Sequence, residues 1–272
     1  MDPLFAFIGG GNMGSALVGG LLAAGHPPSR IRVADSEASC RASCASRYGV
    51  VVTADNLEAC RDADVVVLAV KPQHLRTVTL ALAPGVVDGQ LVVSIAAGIT
   101  LDHLEAWLGR GRAIVRAMPN TPAQIGRGAA ALCANGTVTA AQRALAGRLL
   151  ECVGLAVWLD DEHLMDAVTA LSGSGPAYVF LLIELLERAG CELGLPAALS
   201  RSLSLATVEG AARLAQGSEH DAASLRRQVT SPGGTTERAL QSFADADLAG
   251  IVLRALAAAR DRGRELAAQV PR

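Results

Sequence analysis

Lysine is almost missing from this chain: of 24 lysine and arginine residues, only Lys71 is a lysine. Against so arginine-rich a background, Lys71 reads either as a position with a use specific to lysine or as a chance surface lysine. Blocks of like charge are also lacking. With 26 acidic residues against those 24 basic ones, the formal net charge is -2, which speaks against nucleic acid and anionic membrane as partners. No uninterrupted apolar run reaches the roughly 20 residues of a membrane span. The opening "MDPLFAFIGGGNMG" lacks the basic start and long apolar stretch of a signal peptide. The expectation is a soluble, cytoplasmic protein. Among the six cysteines no Cys-x-x-Cys or Cys/His quartet occurs, so they are expected to be reduced, small apolar side chains. The five histidines form no His-Glu-x-x-His, and no metal site is expected. What remains is ordinary globular material: 272 residues, 51% hydrophobic and 18% charged, enough for a sizeable core in one large or two ordinary domains.

The two halves follow different patterns. In the first, short apolar runs at residues 4–8, 31–34, 50–53, 65–70, 91–95 and 113–116 alternate with helical segments at 13–24, 37–47, 73–82 and 101–108. Runs such as "DVVVLAV" are apolar without alternation, as strands covered on both faces are. Strand–helix alternation with buried strands predicts a parallel, doubly wound, Rossmann-like sheet. From about Asp161 the strand pattern ends, and helical periodicity runs through 177–193, 197–214 and 248–266. Pro176 and Pro196 each sit near an expected helix start, where a missing N–H costs little. The reading is an α/β domain over residues 1–160 and an all-helical domain over 161–272, with the boundary near 157–161.

"FIGGGNMGSAL" places Gly9, Gly11 and Gly14 in G-x-G-x-x-G spacing between an expected strand and helix. In that context the first glycine permits a tight turn, the second lets a pyrophosphate approach the backbone, and the third lets helix and strand pack closely. The helix N-terminus adds free N–H groups and positive potential. Asp35 ends the second strand, 21 residues after Gly14, where an acid can bind the adenosine ribose 2′-hydroxyl and favour NADH. Ser36 follows directly, however, and Arg41 and Arg47 are near enough to meet a 2′-phosphate, so NADPH and NADH both stay open. Further contacts are expected at the carboxyl ends of strands, in "AVKP", "SIAAG" and "RAMPNTP". Pro72, Pro119 and Pro122 could equally be plain strand terminators.

In the helical half, "VTSPGGTTERAL" interrupts the helices with a proline, two glycines and hydroxyls. Gly233 and Gly234 would expose backbone N–H groups, and Thr235 or Thr236 would begin the next helix. A carboxylate there would meet unpaired donors and the positive helix end, worth roughly 0.3–2 kcal/mol for the dipole alone. A joint between helices with an ordinary threonine cap is the alternative. "LSGSGPAY" reads either as a small-residue stretch admitting close approach to a nicotinamide or as a kinked helix entry.

The glycine loop, "AVKP", "AAG", "MPNTP", "LSGSGPAY" and "VTSPGGTT" occur in the order seen in pyrroline-5-carboxylate reductases, which the chain resembles over nearly its whole length. The resemblance implies a homodimer, or a ring of dimers, held by the helical domain. It implies reduction of L-1-pyrroline-5-carboxylate to L-proline with NADPH or NADH, the last step of proline synthesis. It carries cofactor contacts onto Ile8, Gly9, Gly11, Asn12, Met13, Ser36, Asn56, Ala69, Val70, Lys71, Pro72, Ala96 and Ala97. It carries substrate contacts onto Ser231, Gly233, Gly234, Thr235 and Thr236, with Glu219 just upstream. The Thr236 hydroxyl would hydrogen-bond the ring nitrogen, and Glu219 would reach it through water. Imine reduction needs no nucleophile, which suits a chain without Ser-His-Asp logic.

Two rival readings weigh less. A β-hydroxyacid dehydrogenase would need a lysine on a helix of the second domain, whereas Lys71 ends a sheet strand. A nucleotide sensor would need no carboxylate pocket like that of residues 231–236. Independently of family, the apolar Ala-rich helix at 248–266 exceeds what one small helical domain can bury, which predicts a homodimer at least.

Overall fold

A computed structural model describes residues 2–271. Its sheet begins with β1 (Phe5–Ile8), β2 (Ile31–Ala34), β3 (Val51–Thr53), β4 (Val65–Leu68), β5 (Leu91–Ser94) and β6 (Ala113–Met118). Between them lie α1 (Asn12–Ala23), α2 (Ala38–Tyr48), α3 (Asn56–Cys60), α4 (Pro72–Leu82) and α5 (Leu101–Leu108). Then follow β7 (Gly128–Ala134), α6 (Ala140–Glu151) and β8 (Gly154–Trp158). The eight strands are ordered β3-β2-β1-β4-β5-β6-β7-β8.

Burial explains the unalternating strands. Along β1, Phe5 and Phe7 enter one apolar cluster while Ala6 and Ile8 enter another. The period of two is present, but helices cover both faces, so every position is apolar. Helix α1 ends in a Schellman motif: Gly25 (φ +89°) donates to Leu22 and His26 donates to Leu21, each at 3.0 Å. Only glycine takes that left-handed turn without strain.

The sheet departs from the all-parallel expectation at one place. β7 pairs antiparallel with β6, and β8 then pairs parallel with β7. The link from β6 to β7 is a short 3-10 turn, Thr121–Ile125, and a connection without a crossover helix returns antiparallel. β7, α6 and β8 fall in a region where the sequence reading placed no elements. The β7 sequence "GAAALCA" is alanine-rich, and alanine gives almost no strand signal.

The rest is helical: α7 (Met165–Val168), a π-helical turn (Thr169–Gly173), α8 (Gly175–Glu192), α9 (Ala197–Gln216), α10 (Ala222–Gln228), α11 (Thr235–Asp245) and α12 (Leu248–Ala268). The chain forms two compact units, residues 1–174 with 258–272 and residues 175–257. The first unit thus extends past the strand-to-helix change at 160, because the segment after β8 packs on the sheet: Met165 and Ala170 are core residues.

The second unit has no apolar core of its own. Among its described residues only Ser200 and Ser204 are buried, while Phe180 is 64% exposed and Leu253 70%. Helices apolar over so much of their exposed surface require a partner surface. By length and composition, the helical run Glu162–Glu192, with mean hydropathy 1.4, is also long and apolar enough to cross a membrane. The π-helical turn interrupts that run.

Candidate active site

The expected cofactor residues converge. Ile8, Asp35, Asn56, Ala69 and Ala96 follow or end β1, β2, β3, β4 and β5, which are neighbours in the sheet, and all lie at its carboxyl edge. At Gly9 (φ +108°) an added Cβ would stand 2.7 Å from the Ala69 carbonyl oxygen, and at Gly14 2.3 Å from that of Gly9. Those two glycines serve backbone packing. At Gly11, by contrast, an added Cβ would meet nothing within 4 Å. Gly11 is the N-cap of α1, and no side chain caps the helix. An open, uncapped row of N–H donors fits the pyrophosphate of a dinucleotide. Asn12 and Met13 begin that helix. Lys71 is the exposed N-cap of α4, with Pro72 in its first turn. Val70 and Ala97 lie in the loops after β4 and β5.

Asp35 clamps the loop. Its Oδ2 accepts the Gly10 N–H at 2.8 Å, and its Oδ1 accepts that of Glu37 at 2.9 Å. Arg41 donates to the carbonyls of Asp35 and Ser36 at 2.7 and 2.9 Å. A cavity of 440 Å³ lies here, lined by Gly10, Gly11, Asn12, Ser43, Arg47 and Gln124 among others. Asp35 also leads the influences that push the nearby Cys40 thiol up, ahead of burial, Cys44 and Glu37. Of the arginines near Asp35, Arg47 lines this cavity, whereas Arg41 is held on the backbone carbonyls beside it.

In the helical unit, Pro232 and Gly233 (φ +70°) turn the chain into α11. Contrary to expectation, both glycine N–H groups are used internally. Gly234 donates to the Ser231 carbonyl at 3.0 Å, and Gly233 donates to Glu237 Oε2 at 2.7 Å. The N-cap is Gly234, without a side-chain cap, and the first intrahelical bond runs from Arg238 N–H to the Gly234 carbonyl. The open donors are therefore the N–H groups of Thr235, Thr236 and Glu237. Thr236 is half-buried, whereas Ser231, Gly233 and Thr235 are exposed. Glu219 is exposed on the bend after α9.

Several polar contacts at the end of β6 escaped the sequence reading. Arg116, only 3% exposed, donates to Glu162 Oε1 at 2.7 Å, and the Leu101 N–H donates to the same oxygen at 2.9 Å. Asn120 is buried between Ala129 and Ser172. The available signal was an arginine inside an apolar strand, since a buried charge needs a partner.

Residues 4–98 match the family model described as NADP oxidoreductase coenzyme F420-dependent, and residues 162–266 match pyrroline-5-carboxylate reductase dimerisation. The second match agrees with the coreless apolar helices: the helical half is a dimerisation domain. The chain is 53% identical to the pyrroline-5-carboxylate reductase of Pseudomonas aeruginosa over 98% of both chains. It is 40% identical to that of Glycine max over 96% of this chain and 94% of the relative. Among solved structures, a pyrroline-5-carboxylate reductase from Coxiella burnetii superposes with a TM-score of 0.94 at 42% identity, covering 98% of this chain and 99% of that one. A Plasmodium falciparum pyrroline carboxylate reductase with NADP bound superposes with a TM-score of 0.86 at 30% identity, covering 98% of each. A chain so closely matched along its whole length, in sequence and in fold, belongs to the pyrroline-5-carboxylate reductase family.

Proposed function

We propose that this protein reduces L-1-pyrroline-5-carboxylate to L-proline with NADPH or NADH, the last step of proline synthesis. The observation that carries the reading is the pairing of two uncapped helix starts: α1 behind the glycine loop, and α11 behind "SPGG". One suits a pyrophosphate and the other a carboxylate. When bound, NAD(P)H supplies the hydride.

The chain's own residues supply position and charge. Gly9, Gly11, Asn12 and Met13 hold the pyrophosphate, while Ile8, Ala69, Val70, Lys71, Pro72, Ala96 and Ala97 shape the floor along the strand ends. Asp35, Ser36 and Asn56 hold the adenosine end. The N–H groups of Thr235 and Thr236 hold the substrate carboxylate, with Ser231, Gly233 and Gly234 forming the turn that presents them. The Thr236 hydroxyl hydrogen-bonds the ring nitrogen, and Glu219 reaches it through water. The C=N carbon gains a hydride and its nitrogen a proton, so the imine becomes a secondary amine. Alignment of a hydride donor and acceptor contributes up to roughly 7–11 kcal/mol of barrier reduction.

In this reading residues 1–160 are the cofactor domain and 161–272 the substrate-binding and dimerisation domain. The apolar face of α8 packs against a second copy rather than lipid. The assembly is a cytoplasmic dimer or ring of dimers, and it binds neither nucleic acid nor membrane.

The test is oxidation of NADPH and of NADH, side by side, with and without pyrroline-5-carboxylate. Substrate-dependent oxidation is expected, and background rates with both cofactors would overturn the reading. Thr236→Ala should lower turnover while nicotinamide fluorescence titration reports unchanged cofactor affinity.

A further inference from the structure

Asn120 stands where two motifs meet. It follows β6, and both polar atoms of its side chain are engaged: Oδ1 accepts the Ala129 N–H at 2.8 Å, and Nδ2 donates to the Ser172 carbonyl at 2.9 Å. That carbonyl belongs to the π-helical turn Thr169–Gly173. In a continuing α-helix it would accept from residue 176, but residue 176 is Pro176, which has no N–H. Asn120 supplies the donor that the proline removes.

The turn is gripped elsewhere too. A Cβ added at Gly173 would come 2.5 Å from Met118 Cε, so the turn lies directly on the end of β6. Glu162, earlier in the same segment, is held by Arg116 and by the N–H of Leu101. Asn120 is also the N-cap of the 3-10 turn whose Gln124 and Ile125 line the cavity beside the glycine loop. One buried amide therefore joins the cofactor end of the sheet to the turn after which, beyond Ser174, the chain enters its second compact unit.

We propose that Asn120 is a positioning residue for hydride transfer: it locks the π-helical turn to the strand end beside the dinucleotide. This inference rests on the proposed reductase activity.

Asn120→Asp is the decisive variant. It keeps the acceptor for Ala129 but sets a carboxylate oxygen against the Ser172 carbonyl. The expected kcat loss is about tenfold to a hundredfold, as for a misplacement of about 1 Å, with the dissociation constant for NADPH or NADH unchanged. The primary isotope effect with 4-deuterated NAD(P)H should rise. Activity should recover as pH falls, because a protonated carboxyl can donate to Ser172, a limb the wild type lacks. In Asn120→Ala, adding Pro176→Ala restores an N–H at residue 176 and should recover part of kcat. Wild-type kcat for Asn120→Asp across the pH range would overturn the proposal. So would a loss that merely tracks the folded fraction, with an unchanged isotope effect and no rescue by Pro176→Ala. If the Asn120 variants fail to fold, Gly173→Val decides: its branched side chain meets Thr169 as well as the end of Met118, so rotation of Met118 alone does not relieve it, and the displaced turn should lower kcat and raise the isotope effect. Wild-type values for both would overturn the proposal. Wild-type turnover is measured first, so its absence would count against the proposed function and not against Asn120 alone.

Discussion

At the scale of single residues, neighbours rather than residue type set chemical character. Cys60 shows this. Burial pushes its thiol up to about 12 from an ordinary value near 9, with Arg32 pulling it down and Asp55 adding to the rise. The unfolded chain therefore loses this proton first. The Cys60 contribution to stability is constant below pH 9 and falls as pH climbs from 9 towards 12, at up to about 1.4 kcal/mol per pH unit. Urea unfolding at a series of alkaline pH values should show that slope, and Cys60→Ala should reduce it, leaving the smaller part due to Cys133 and Cys152, whose thiols burial also pushes up. Glu162 is a second case. Its removal in Glu162→Ala would leave the Arg116 guanidinium buried without its anion, at a cost of about 3–5 kcal/mol. In a chain of this size that corresponds to a fall in melting temperature of order 10 °C, read by calorimetry. Neither environment was legible in the sequence, because Cys60 meets Gln90 and Arg116 meets Glu162 only through the fold.

At the scale of elements, legibility followed the strength of the local signal. The six parallel strands and the helices α1, α2, α4 and α5 were readable within a few residues, because continuous Val/Leu/Ile runs and glycine turns dictate them locally. β7 and β8 were not, since their pairing depends on a hairpin-like return and an alanine-rich strand. The segment "VTSPGGTTERAL" was readable as a break before a helix, and Thr235 does begin α11. Its donor pattern was not, because Glu237 reaches back four residues to take the Gly233 N–H. That is a question of side-chain direction, which spacing alone leaves open. "LSGSGPAY" shows the same division: its small residues allow either a close approach to a nicotinamide or a kinked helix entry, and the π-helical register and the Asn120 donor exist only in three dimensions.

At the scale of the whole molecule, the helical unit is unfinished as a single copy. Phe180, Leu186 and Leu253 are among many exposed apolar side chains, and the unit buries no apolar side chain among its described residues. A dimer is the stable form of such a chain, and its melting temperature should rise with protein concentration. Leu253→Asp puts a charge into that apolar surface. Light scattering should show dissociation towards monomer, with loss of stability, while a dimer of wild-type mass would argue that α12 lies outside the interface.

Sequence by itself determined the two-part plan, the dinucleotide loop and the family, because those depend on short-range patterns: glycine spacing, apolar runs, proline placement. Only tertiary structure decided which donors stay open at Thr235, Thr236 and Glu237, that Asp35 clamps the glycine loop, and that Asn120 answers Pro176. Each joins residues distant along the chain or depends on a side-chain direction, and such geometry comes into being only when the core packs and buried polar groups must find partners.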